Sequence, residues 1–319
     1  MTLTALALSA AMAAGAYPAA TPLAQARAAL QAGEADKALA LLNPLAQAGG
    51  PADAFNLKCR AEYMLEQWDR AAGDCEQAVK LEGQNSEFHL WLGRALGEKA
   101  SRASFLSAYS LAKHVRAEFE EAVKFNPGNT DALADLGEFY YSAPGAVGGG
   151  IDKAEGVAAQ LEKIDPAQAH ELRGHIAVER KDYGTAEREF KQAVAAAAHP
   201  AEQWMALAGF YRGRERWAEM ESAVRSGESA AAREKHSGVA LYNGATLLIR
   251  TNRDSARAAK MLEGYLAGGA KSEEAPAFVA HTLLARLKLQ SGDMAAAGRE
   301  RDAALALAQE YKPAQELKH

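Results

Sequence analysis

Trp68–Leu96 reads WDRAAGDCEQAVKLEGQNSEFHLWLGRAL, and Val115–Tyr140 reads VRAEFEEAVKFNPGNTDALADLGEFY. These two stretches decide the fold. Each holds an amphipathic helical pattern ending in Ala-Val-Lys (Ala78-Val79-Lys80 and Ala122-Val123-Lys124), then a Gly or Pro breaker, then a helix carrying Leu-Gly (Leu92-Gly93 and Leu136-Gly137). A third copy of the first half runs from Tyr183 to Val194, YGTAEREFKQAV. Self-similarity at a fixed period marks a repeat architecture in which each unit buries its apolar face on the next.

Composition agrees. The chain has 319 residues, 49 % of them apolar and 24 % charged, with 7 % aromatic. Alanine is abundant, and it combines the highest helix propensity with room for close helix pairing. Sheets would call for Val, Ile, Thr and more aromatics. The net charge is −5, and no run of Lys and Arg forms a phosphate-tracking stripe, so nucleic acid is not an expected partner.

The pattern resembles the tetratricopeptide repeat family, whose helix-turn-helix units of about 34 residues interlock small and large positions. The matching positions are Gly93, Gly137 and Gly174 in first helices, and Ala71, Ala186 and Ala297 in second helices. Phe119 and Phe190 match the large second-helix position, and Pro127 and Pro166 the repeat-ending proline. The resemblance implies an all-α solenoid, a right-handed superhelix with an extended concave groove. About eight units are expected over 17–311, near 22–50, 51–85, 86–128, 129–166, 167–200, 201–236, 237–272 and 273–311, with the first and last three degenerate. Residues 312–319 read as a tail.

Two units depart from the standard length. Ser101–His114 adds residues to the third unit, with Phe105, Leu106, Tyr109 and Leu111 apolar, and predicts longer helices. In the fourth, Tyr140–Gly150 replaces a short turn, and a subset of bacterial members of the family is similar there. Gly148, Gly149 and Gly150 before Ile151, with Lys153 near, offer an anion-binding loop at a helix start; the competing reading is a wide turn that needs glycine. The Gly-Lys-Ser/Thr ending of a phosphate loop is absent, and Asp152 opposes an anion.

Projected on the repeat register, Asn56, Arg60, Tyr63, Arg94, Glu98, Glu138 and Tyr141 fall on the concave face, where such arrays bind extended peptides. Asn56, Arg60 and Arg94 partly resemble the carboxylate-clamp members of the family, without their first Lys. Cys59 and Cys75 take facing positions of one unit, so either a disulfide or two buried thiols fits. The eight histidines form no i, i+4 pair and meet no cysteine at zinc spacing. No catalytic or nucleotide motif occurs, so no enzyme activity, metal or cofactor is expected.

At the N-terminus, Leu3–Ala16 is small and apolar, and Ala14-Gly15-Ala16 has the small-x-small form of a signal-peptidase site, although no Lys or Arg precedes Leu3. Residues 1–16 therefore read as a signal peptide, too short to span a membrane, with an Ala-rich capping helix as the alternative. The expected location is periplasmic or secreted, with cytoplasmic as the alternative. The expected function is a non-catalytic adaptor for a protein or peptide. The alternatives are a small-ligand or enzymatic pocket near Tyr140–Lys153, or a self-assembling structural component.

Overall fold

The structure, a computed structural model, describes residues 21–234, 238–269 and 271–317. The proposed signal peptide lies outside the described residues. The helices follow one another in antiparallel pairs: α1 (Pro22–Gln31) with α2 (Ala35–Leu42), α3 (Ala52–Met64) with α4 (Trp68–Leu81), α5 (Ser86–Arg102) with α6 (Phe105–Phe125), and α7 (Thr130–Ser142) with α8 (Ile151–Leu161). The series continues with α9 (Pro166–Glu179) and α10 (Tyr183–Ala196), α11 (Ala201–Gly213) and α12 (Trp217–Ala231), α13 (Gly238–Arg250) and α14 (Ser255–Ala267), and α15 (Ala277–Gln290) and α16 (Met294–Leu307). No strand occurs among the described residues. The architecture is an all-α solenoid.

Local chemistry starts and stops these helices. Asn129, Asp165, Asp182 and Asp293 each accept the backbone N–H three residues on, at 2.9–3.1 Å, and so cap α7, α9, α10 and α16. Inside six of the pairs, one residue turns left-handed: Gly33, Glu66, Lys181, Glu215, Asn252 and Gly292, with φ between 52° and 81°. The following N–H then reaches back five residues, as Gln67 does to Glu62 and Asp182 to Ala177, both 2.9 Å. This closes the first helix of each pair in a Schellman turn. The third and fourth pairs lack that turn; they are the two units of irregular length. Pro166 is the first residue of α9, so it opens a repeat where the family pattern expects it to close one.

The interlock is physical. A methyl group on Gly93 would lie 2.5 Å from the Phe119 ring, and one on Gly174 2.9 Å from the Phe190 ring. In the second pair a disulfide joins Cys59 of α3 to Cys75 of α4 at the same contact, with Cα atoms 5.4 Å apart. Both cysteines are fully buried.

The array curls until its ends meet. Leu30, Leu42 and Phe55 share one apolar cluster with Phe278, Ala304 and Tyr311. Phe278 and Tyr311 pack ring to ring at 4.8 Å, and Gln309 donates its N–H to Asp36 at 2.7 Å. The C-terminal segment read as a tail contains the one-turn helix α17 (Lys312–Gln315), and its Ala314 is buried in the same cluster. The open concave groove expected from the sequence is therefore an enclosed interior.

Candidate functional site

The first helix of each pair faces this interior, so the residue after the small position projects into it. Arg60 follows Cys59, Arg94 follows Gly93, Glu138 follows Gly137 and His175 follows Gly174. The interior is partly filled by the chain itself. Residues 271–276, which lead into α15, bring Glu273 and Glu274 to the two arginines. Arg60 donates through Nε and Nη2 to the Glu273 carboxylate at 2.7 and 2.6 Å, and through Nη1 to Glu87. Arg94 donates to Asp135 at 2.6 Å and lies 3.6 Å from Glu274. Both guanidiniums stack over Trp91, at 4.9 and 5.0 Å.

These contacts change the reading of the concave face. Arg60 is 9 % exposed and holds two carboxylates, so it is a strut between α3 and the 271–276 segment, where the sequence suggested a free peptide contact. Asn56 is buried in α3, with its Nδ2 unpartnered, and lines none of the cavities described here. Tyr63 sits edge-on to Trp68 and Trp91 at 5.0 and 5.6 Å, and burial, with Glu98 near, pushes its hydroxyl up to about 12. Glu98 pairs with Arg102 at 2.6 Å on the rim of the cavity that Tyr63 lines.

A second cavity of about 500 Å³ lies deeper, beyond Arg94. Glu138, Tyr141, Glu171, His175 and Glu202 line it. Tyr141 and His175 stack face to face, 5.5 Å apart and 3° from parallel. Burial pushes His175 down, which keeps its ring neutral. Six carboxylates (Asp131, Asp135, Glu138, Glu171, Glu202 and Glu274) face this cavity, against the guanidiniums of Arg94 and Arg250. Glu138, Glu171 and Glu202 have no hydrogen bond or ion pair among the described residues. Their pKa values respond. Burial, then Glu202 and Asp165, raises Glu171 to about 7. Burial, then Glu274 and Glu234, raises Glu202; burial, then Asp135, raises Glu138 against the pull of Arg94. Glu138 and Glu202 are exposed to the solvent of the cavity and Glu171 is half-buried, so the acidic charge gathers in a recess open to water.

The glycine-rich turn is elsewhere and already satisfied. The amides of Gly148, Gly149 and Gly150 donate to the carbonyls of Gly145, Pro144 and Tyr140 at 3.0, 3.2 and 2.8 Å. None of the three is left for an anion. Lys153 donates to the Gly148 carbonyl at 2.9 Å and lies over the Tyr140 ring, whose hydroxyl donates to Glu120 at 2.8 Å. Gly148 has φ 103°, and a methyl on Gly149 would meet the Ala143 carbonyl oxygen at 1.8 Å. The glycines make a tight turn, and of residues 140–153 Tyr141 alone lines the second cavity.

Glu171 and His175 were within reach of the sequence. They occupy in the fifth repeat the positions that Asn56 and Arg60 occupy in the second. Glu273 and Glu274 were not, because they sit outside any repeat. Among the described residues no group of three His, Cys, Asp or Glu side chains is placed to hold a metal ion, and no helix is long and apolar enough to cross a membrane.

No protein-family model matches the chain, and no curated protein matches it in sequence. Solved structures do match in shape. Yeast Tom70 aligns over 95 % of this chain and 64 % of its own, at 15 % identity and a TM-score of 0.55. A thermophilic tetratricopeptide protein from Thermus thermophilus aligns over 59 % of this chain and 96 % of its own, at 17 % identity and a TM-score of 0.50. A tetratricopeptide repeat protein from Parabacteroides merdae covers 84 % of this chain and 97 % of its own, at 13 % identity and a TM-score of 0.49. With helix pairs, interlocked small and large positions and the neighbours in shape from yeast and Thermus thermophilus, the chain has the tetratricopeptide-type fold.

Proposed function

We propose that this protein is a non-catalytic scaffold that holds a protein or peptide partner, and that its deep cavity takes a basic side chain from that partner. One observation carries the reading: Glu138, Glu171 and Glu202 converge on one cavity without a hydrogen bond or ion pair of their own among the described residues, where six carboxylates face two arginines. Like charges gathered in one recess repel one another in the free protein, and a Lys or Arg would relieve that repulsion. The Tyr141–His175 stack adds a flat aromatic wall, which suits the stem and head of a long cationic side chain. The Cys59–Cys75 bridge supports placement in an oxidising compartment outside the cytoplasm.

The test is selection of random peptides displayed against the purified protein at pH 8. Enrichment of Lys and Arg, lost on selection against a Glu138→Gln/Glu171→Gln variant, is the expected result. Enrichment of acidic peptides, or the same basic peptides from the variant, would overturn the charge assignment.

A further inference from the structure

The third helix pair projects beyond its neighbours. α5 and α6 have 17 and 21 residues, against 13 and 14 in α3 and α4. The first buried side chain of α6 is Val115, so its opening turns from Phe105 to His114, about 15 Å of helix at 1.5 Å per residue, carry none. At the extremity, Phe105 is 85 % and Leu106 81 % exposed, the two most exposed large apolar side chains among the described residues. Tyr109 follows one turn on, 41 % exposed, and its hydroxyl donates to the Ala146 carbonyl at 3.2 Å. That bond ties the glycine-rich turn to the same end of the molecule.

The charge of this end differs from that of the whole. The chain carries −5 overall, yet residues 99–117 include Lys99, Arg102, Lys113 and Arg116 and no Asp or Glu. The adjoining segment 143–151 has no carboxylate either. Lys99, Arg102 and Arg116 form surface pairs with Asp69, Glu98 and Glu120 at 3.1, 2.6 and 3.5 Å. Exposed pairs of this kind are weak and exchange with other anions. Lys113 lies over the Tyr109 ring at 4.5 Å and has no carboxylate partner among the described residues.

An exposed Phe-Leu pair on a projecting tip, an aromatic hydroxyl one turn behind it and a surrounding belt of cations have one matching surface. Apolar side chains on a convex tip have no groove of their own to fill, but they insert between lipid headgroups, where Tyr and Lys settle at the interface. We infer that this tip docks the protein peripherally on an anionic lipid bilayer, with Phe105 and Leu106 entering the headgroup region and Arg102 and Lys113 meeting the lipid phosphates.

Vesicle co-flotation of the purified protein tests this. The probes are phosphatidylcholine vesicles with and without about one-third phosphatidylglycerol, at low and high salt. The expected result is flotation with the anionic vesicles only, weakened by salt because the attraction is screened. Phe105→Ser/Leu106→Ser should lower partitioning on the order of a hundredfold, about tenfold for each apolar group that no longer leaves water. Arg102→Glu/Lys113→Glu should abolish flotation while keeping the apolar pair. All four side chains are exposed, and an unchanged circular dichroism spectrum confirms that each variant folds. Equal flotation of the variants and the parent would overturn the proposal, as would no flotation of the parent. Concentration-dependent dimerisation that Phe105→Ser/Leu106→Ser removes, without vesicle binding, would overturn it in favour of a second copy of the chain.

Discussion

Replacing Glu171 with Gln isolates the energy held in the acidic cavity. The carboxyl has an ordinary value of 4.5 and is pushed up to about 7 in the folded chain, by burial first and then by Glu202 and Asp165. A raised carboxyl favours the protonated form in the folded state, so the sign is opposite to that of a salt-bridged acid. Below pH 4.5 both folded and unfolded chains hold the proton and nothing is lost. Between 4.5 and 7 the unfolded chain has released it and the folded chain has not, so stability falls as pH rises; above 7 the loss is constant. The interval corresponds to about 3 kcal/mol. Glu171 keeps some exposure to the solvent-filled cavity, and discounting for that leaves about 2 kcal/mol. Gln has nearly the same shape and no charge to desolvate. Urea unfolding at pH 8 should therefore show Glu171→Gln more stable than the parent by about 2 kcal/mol, and at pH 4.5 the two should coincide. The same substitution should weaken binding of a lysine-bearing peptide at pH 8. A gain of equal size at both pH values, or none at pH 8, would refute the argument that a half-buried carboxylate beside like charge destabilises the free protein.

Three further outcomes follow from the packing. Gly93→Ala places a methyl 2.5 Å from the Phe119 ring and should lower stability by roughly 1–3 kcal/mol in thermal or urea unfolding. Reduction of the Cys59–Cys75 bridge, which closes a loop of sequence separation 16, should cost about 3 kcal/mol, measured by unfolding with and without reductant. Lys181→Gly relieves a left-handed non-glycine residue at φ 60° and should raise stability by about 0.5 kcal/mol, the strain relieved less the added chain entropy, whereas Gly292→Lys should lower it.

What the sequence made legible follows from what repeats record. Gly93 against Phe119 and Gly174 against Phe190 recur at fixed spacing because every unit solves the same packing problem, so the fold and the inward positions of Arg60, Arg94 and Glu138 could be read from them. A recurring pattern says nothing about contacts made once. Glu273 lies 213 residues from Arg60 in sequence and in a segment with no repeat signature, so its bond to that arginine, and the closure of the array, had no local trace. The glycine run shows the complementary problem. Three consecutive glycines promise free amides, but whether those amides face a ligand or their own turn depends on where Tyr140 and Pro144 direct their carbonyls. Phe105 and Leu106 read as apolar positions of a longer helix, and only the length of that helix relative to its neighbours puts them in solvent.

The meeting of the first and last repeats bears on how the molecule comes apart. An open solenoid frays from its terminal units, because each end repeat has one neighbour instead of two. Here the apolar cluster that Leu30 and Leu42 share with Phe278 and Tyr311, and the Asp36–Gln309 bond, give the end units a second neighbour, so fraying has no starting point and unfolding becomes more nearly all-or-none. The same seam controls traffic. A partner segment held across the interior is enclosed by a ring, and its release rate is then set by how often the seam opens, so long residence times do not require many contacts.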